Sequence, residues 1–167
     1  PVTFVNPFPP GGAADVVEGP PVLVDFGPLP SFVREGEVAV TTIPDPLEIV
    51  LSGPVSGNTF VAISSGDPTS LTVVGGGVTV LTGNSSAPVL LNGVSQSLAV
   101  TQTATRNSVN LDADVRVVGP SEQPQVVAVT PAVANVPVLG SGSLQVWLDI
   151  PADSPGGNLV GLGLNPN

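Results

Sequence analysis

The chain has 167 residues, 41% of them hydrophobic and only 10% charged, and its net charge of −10 comes from 13 acids against three arginines, Arg34, Arg106 and Arg116. Without lysine or any basic stripe it has nothing with which to neutralise phosphate, which excludes nucleic-acid recognition and a polybasic membrane contact. Cysteine, histidine, methionine and tyrosine are absent, so no disulfide framework, thiolate metal site or histidine-activated nucleophile can be built.

The charged fraction lies far below the roughly 25% usual for soluble globular proteins. A free-standing monomer with so few charges would be poorly soluble, so part of the surface is expected to be covered by another subunit or domain. No apolar stretch approaches the ~20 residues of a membrane helix, so no membrane insertion is expected. Lacking lysine and methionine, the chain offers few targets to trypsin-like proteases or oxidants, which suits life outside the cell. Its start at Pro1, without methionine, is read as that of a mature secreted protein whose signal peptide has been removed.

Twenty Gly and twenty Pro spread along the chain rule out long helices. Residues 1–30 are Pro-rich, with two short apolar runs, "VTFV" and "VLVDF". They are predicted to form an extended N-terminal arm, suited to an edge strand or a clamp on a neighbour. From Phe32 the rhythm becomes regular. Strand candidates follow at 37–42, 47–52, 59–65, 71–74, 78–82, 87–92, 97–105 and 108–118, separated by turns such as "GPVSGN", "SGDPTS", "GNSS" and "RN". Short strands with turn signals at this spacing predict an immunoglobulin-like β-sandwich over residues 31–119. "GPSEQP" then gives a linker at 120–124, after which "QVVAVTPAVANVPVLGSGSLQVWLDI" restarts the rhythm over 125–167.

This restart is an internal repeat. Leu47, Val50, Leu51 and Pro54 align with Leu144, Trp147, Leu148 and Pro151, and after a slightly longer turn "FVAIS" corresponds to "LVGLG". The first copy is read as complete and the second as an incomplete Ig-like unit. The fold class expected is therefore all-β: one sandwich, a partial second unit and an extended arm. "FVREGEV", "PLEIVLSGPVSGNTFVAISSGDPTSLTV", "GVTVLTGNSSAPVLLNGVSQSLAVTQTAT" and "NLDADVRVV" resemble the repeated Ig-like modules, of the bacterial Ig-like and Calx-β-like group, of large bacterial secreted and surface proteins. The resemblance covers 33–118 well, 125–165 partially and 1–30 not at all. It implies fold and a surface location. Such modules serve as spacers, adhesins and structural repeats, and the acidic loops that bind calcium in Calx-β members are lacking here.

No constellation for catalysis is legible. The acids are scattered singly and no "D-T-G" or "D-S-G" turn occurs, so the chain is read as non-enzymatic and without a cofactor. Asp112 and Asp114 in "NLDADV" share one strand face and form the one calcium candidate. Against it stands a solvated face with Leu111, Ala113 and Val115 turned inward, the reading expected because calcium sites usually draw three or more acids from loops. Asp45, Asp67 and Asp153 sit in Pro-containing turns, where Asp caps its own backbone. "GGG" at 75–77 reads as a bulge or tight turn. Arg34 and Arg116 read as local ion-pair or subunit-contact residues. Trp147 is either a core residue of the second unit or a partly exposed interface anchor.

A half-finished sandwich leaves an apolar face and open edges that must be covered. The expected partner is the chain itself, as a homopolymer built by strand addition. On the donor side the interface residues are Val2, Phe4, Val5, Phe8, Val22, Val24 and Phe26, within an arm running from Pro1 to Phe26. On the receiving side they are Trp147, Leu148, Val160, Leu162 and Leu164. Two alternatives are an Ig-like spacer or adhesion module whose arm folds back on its own chain, and a virion coat or decoration protein. No glycan or protein ligand can be named, since no aromatic platform is legible.

Overall fold

In a computed structural model that describes residues 19–131 and 141–151, short runs rich in Val, Thr, Ile and Leu become strands wherever one side of the alternation can be buried. They are β1 (Leu23–Gly27), β2 (Ser31–Arg34), β3 (Glu48–Leu51), β4 (Thr59–Ser65), β5 (Leu71–Val73), β6 (Gly77–Val80), β7 (Ser86–Pro88), β8 (Leu91–Gly93), β9 (Ser97–Arg106) and β10 (Val109–Val118). Beyond the linker come β11 (Val126–Thr130) and β12 (Gln145–Leu148). A three-stranded sheet, β1-β3-β7, lies over a five-stranded sheet, β2-β10-β9-β4-β6, with the small pair β5-β8 beside them. The protein is thus all-β, and its first unit is an Ig-like sandwich.

One core fills the space between the sheets. Leu23, Phe26, Ile49 and Leu51 enter it from the first sheet; Val61, Ile63, Val100, Ala113, Val115 and Val117 enter from the second. The alternation is visible in β9, where Val100, Gln102 and Ala104 are buried while Thr101 and Thr105 face outward. After β1 the chain leaves the first sheet through Gly27–Pro30 and re-enters the second as β2, parallel to β10. Pro28 and Pro30 carry no N–H, so they cannot extend the β1 ladder, and the switch of sheet falls there.

Three sequence expectations change. Residues 23–27 are not part of a free arm: β1 pairs antiparallel with β3 of the same chain, and Leu23 and Phe26 are buried in its core. With both side chains buried under the five-stranded sheet of their own chain, the sandwich begins near Val22 and not at residue 31. The run 37–42 makes only one isolated bridge, Val40 to Leu91, with Ile43 just beyond it bridging Phe32, because Ala39 turns the chain at φ 54° and the Thr42 hydroxyl accepts the Leu47 N–H at 2.6 Å. The run 87–92 divides between two sheets, β7 beside β3 and β8 beside β5, with the break just after Pro88. At "GGG", Gly75 and Gly76 both hold φ of 68°, left-handed backbone that glycine adopts without strain, in a tight turn that leads into β6.

Gln102 is the one fully buried side-chain amide among the described residues. Its Nε2 donates to Ser65 Oγ at 3.1 Å, while its Oε1 has no partner. An unpaired buried acceptor costs about 1–3 kcal/mol. Gln102→Leu is therefore expected to leave stability unchanged or raise it by about 1 kcal/mol, read from urea midpoints. In the β4–β5 turn, Asp67 takes the Ser70 hydroxyl at 2.6 Å and the Thr69 N–H at 3.0 Å, and these bonds, Ser70 first, hold its carboxyl below the usual range. The folded form thus binds this proton more weakly than the unfolded form. The stability it contributes is complete at neutral pH and lost as pH falls below about 4, through the lowered folded value. Asp67→Asn should flatten that part of the acid limb of a stability–pH curve.

Candidate assembly interface

β11 and β12 form an antiparallel pair that repeats β1 and β3 residue for residue. Leu23 faces Leu51, Asp25 faces Val50, Phe26 faces Ile49 and Gly27 faces Glu48, with a register shift between Leu23 and Asp25. In the second unit Val126 faces Leu148, Ala128 faces Trp147, Val129 faces Val146 and Thr130 faces Gln145, with the shift between Val126 and Ala128. The strand ends are tied in the same way. Ser52 N–H donates to Val22 O at 2.9 Å and Val22 N–H to Ser52 Oγ at 3.0 Å; Asp149 N–H donates to Gln125 O at 3.1 Å and Gln125 N–H to Asp149 Oδ1 at 2.7 Å. The repeat therefore includes the strand before the one the sequence alignment found. Its signal was present: "PVLVDFGP" (21–28) and "PQVVAVTP" (124–131) both bracket an apolar strand with prolines at the same separation.

The two copies differ in what covers them. Leu23 is 4% exposed and Leu47 fully buried under the five-stranded sheet, whereas their counterparts Val126 and Leu144 are 47% and 39% exposed. Val129, Val146 and Leu148, counterparts of the buried Phe26, Ile49 and Leu51, are only half-buried. Trp147 matches the outward Val50, stands 55% exposed, and reaches Thr130 Oγ1 with its indole N–H at 3.4 Å. The second pair thus carries the side chains of a sandwich face, and among the described residues no second sheet is packed on it.

The pair is docked on the first unit rather than dangling from it. Ile150 is 2% exposed and packs against Phe32 and Val118. Glu122 organises the linker: its carboxylate takes Arg116 Nη2, Gln96 Nε2 at 2.9 Å and the Gly119 N–H at 3.1 Å. Arg34 Nη1 donates to the carbonyls of Gly119 and Glu122. The two arginines read as local ion-pair or contact residues thus converge on this junction. Beside it opens an apolar groove lined by Pro30, Phe32, Pro44, Leu148 and Ile150.

The remaining candidates fall elsewhere. Val22 and Val24 lie on β1 or at its edge, exposed, while Phe26 is committed to the core of its own chain and is withdrawn from the donor set. Val2, Phe4, Val5, Phe8, Val160, Leu162, Leu164 and Asp153 lie outside the described residues. Asp112 and Asp114 do share an exposed face of β10, where each carboxylate takes a threonine hydroxyl from β9: Thr103 Oγ1 at 2.7 Å and Thr101 Oγ1 at 2.6 Å. No group of three or more acids that could hold a metal ion occurs among the described residues. Ala113 and Val115 between and beside them are buried.

No protein-family model matches the chain, and no curated protein matches it. Solved structures similar to it come from an S-layer protein, SbsC. The crystal structure of SbsC domains 4 and 5 has a TM-score of 0.40 at 22% identity and covers 59% of this chain and 53% of that one. The structure of SbsC domains 1–6 has a TM-score of 0.44 at 20% identity. That of rSbsC(31-844) has a TM-score of 0.43 at 23% identity. Both cover 84% of this chain, which spans only 17% of theirs. These likenesses are too slight to carry a function.

Ile150→Ala empties the contact with Phe32 and Val118, and by analogy with buried Ile truncations should weaken the docking of the second unit by about 2 kcal/mol or more. The expected readout is faster proteolytic cleavage within 119–124 and a wider radius of gyration, with the melting of the first sandwich unchanged.

Proposed function

We propose that the protein is a non-enzymatic structural subunit of an extracellular or cell-surface assembly, in which neighbouring copies cover each other's second unit by strand addition. One observation carries this reading: β11–β12 reproduces the β1–β3 pair down to its register shift, yet leaves its core-facing side chains open. A two-stranded pair with an exposed apolar face is only marginally stable by itself and invites further strands. The low charged fraction and the absence of lysine, methionine and cysteine support the same reading, since they suit a surface that is mostly buried against its own kind outside the cell.

A second reading is favoured by a separate observation. The chain enters the first sandwich at one pole and leaves at the other, as a spacer or adhesion module in a tandem surface repeat would. The two readings differ in dilute solution. As a subunit, the full chain should assemble in a concentration-dependent manner by sedimentation velocity, following mass action, with ordered particles in electron micrographs. Val146→Asp, at the counterpart of Ile49, should move it to monomer while the first sandwich melts as before. A chain that stays monomeric at every concentration with its full β signal overturns the assembly reading and leaves the spacer.

A further inference from the structure

We infer that the outward face of the five-stranded sheet, where β6, β4, β9 and β10 lie side by side, binds a neutral glycan chain. Phe60 is its stacking platform, and Ser64, Thr103, Thr105, Asn110 and Asp112 are its hydrogen-bonding field. The inference stands on the first sandwich alone and does not depend on the assembly reading.

The platform comes from one glycine. Phe60 on β4 faces Thr79 on β6, yet its ring tip lies over Gly77, the residue paired with Ala62. Such diagonal neighbours are within reach of an aromatic side chain. A Cβ at position 77 would stand 2.6 Å from Phe60 Cζ, so a larger residue there would lift the ring off the strand. The ring therefore lies along the sheet, resting on the Gly77 backbone, and Phe60 is left 54% exposed. The face of a phenyl ring carries partial negative charge, which suits the polarised C–H groups on the flat side of a sugar ring. Nothing in "NTFVAIS" tells which side of β4 is covered, so the sequence reads without an aromatic platform where the structure has one.

The field comes from register. Ala62 faces Thr105 and Ser64 faces Thr103 across β4 and β9, while Thr105 faces Asn110 and Thr103 faces Asp112 across β9 and β10. Directly opposed residues point to the same side of a sheet. Ala62, Ser64, Thr105, Asn110 and Asp112 are exposed and Thr103 is half-buried. The rows cross the strands over about 14 Å from β6 to β10. These side chains are all short, so the face is level and a run of sugar rings can rest on it. Asp112 takes the Thr103 hydroxyl on one oxygen at 2.7 Å, whereas the Ser64 and Thr105 hydroxyls and the Asn110 amide have no partner among the described residues. Donors and acceptors thus lie side by side, as sugar hydroxyls, each both donor and acceptor, require.

Other occupants fit less well. A peptide needs side-chain pockets or a free strand edge, and β4, β9 and β10 are paired on both sides. An anionic glycan needs cations, but the arginine turned to this side, Arg116, is held by Glu122, and the chain carries a net charge of −10.

Affinity electrophoresis in native gels containing a soluble β-glucan, a galactomannan or an α-mannan, with pectate as the anionic control, tests the inference. The full chain and its Val146→Asp variant are run together, so that sugar binding is read apart from self-association. At least one neutral polysaccharide is expected to retard both. Phe60→Ala should weaken that retardation about tenfold or more, and Thr105→Val and Asn110→Ala about threefold each. Melting should be unchanged in all three variants, because the side chains removed are exposed. Retardation by none of the three neutral polymers overturns the inference. So does retardation that Phe60→Ala and Asn110→Ala both leave intact, or that pectate alone produces. The assembly reading is decided separately, by sedimentation of the same proteins.

Discussion

A β pair with one apolar face needs a second layer, and this requirement organises the whole molecule. In the first unit β1 and β3 meet it by lying over β2-β10-β9-β4-β6, so Leu23, Phe26, Leu47, Ile49 and Leu51 are all buried. In the second unit the pair is built to the same register and tied by corresponding bonds, but its counterparts are exposed or only half-buried. Local pairing and tertiary cover are thus separated in one chain: the hydrogen-bond ladder can form from two strands, whereas burial of the side chains needs a partner layer. The second unit displays what the first would look like with its core exposed.

How the open pair is presented depends on the junction. Glu122 is the hub, collecting Arg116, Gln96 and the Gly119 N–H, while Arg34 holds the carbonyls on either side of the linker turn. Charge-assisted bonds of this kind fix geometry more than they add stability, because the groups are only partly buried. Ile150 supplies the apolar complement by closing on Phe32 and Val118. Together they convert a linker that contains Gly119, Pro120 and Pro124 into a defined turn, so that β12 is held in place relative to the first sandwich.

Most of the strands were legible because alternation and turn residues agree. β4, β9 and β10 fall almost where "TFVAISS", "SLAVTQTAT" and "SVNLDADVRVV" suggest. Reading failed where one apolar run serves two sheets. "APVLLN" is a single run to the eye but divides after Pro88, and "VLVDFGPLPSFV" crosses from one sheet to the other at its prolines; periodicity does not tell which sheet a strand joins. Assigning "VLVDF" to an arm followed from the same blindness, since Pro-rich flanks suggest an edge while burial of Phe26 is a tertiary fact. The half repeat at Leu144–Pro151 was legible from four matched positions. Its partner strand was not, because Val126 and Val129 preserve only apolarity relative to Leu23 and Phe26, and between the flanking prolines only Val24 and Val127 survive as an identity.

The distribution of charge links the composition to the architecture. A protein at net −10 could gain solubility by scattering its acids evenly, yet the acids among the described residues lie on the first sandwich and around the junction, on faces such as the Asp112–Asp114 strand where threonine hydroxyls donate to them. The uncharged stretches are residues 1–14 and residues 123–148, the latter containing the β11–β12 pair. Like-charged bodies that must meet face a repulsion which grows as they approach and is screened only over about 8–10 Å at physiological salt. In the proposed assembly, keeping charge away from a contact would lower that barrier where copies touch and preserve it elsewhere. On that proposal, low charge content, which at first reads as a solubility defect, becomes a means of choosing where one copy would meet another.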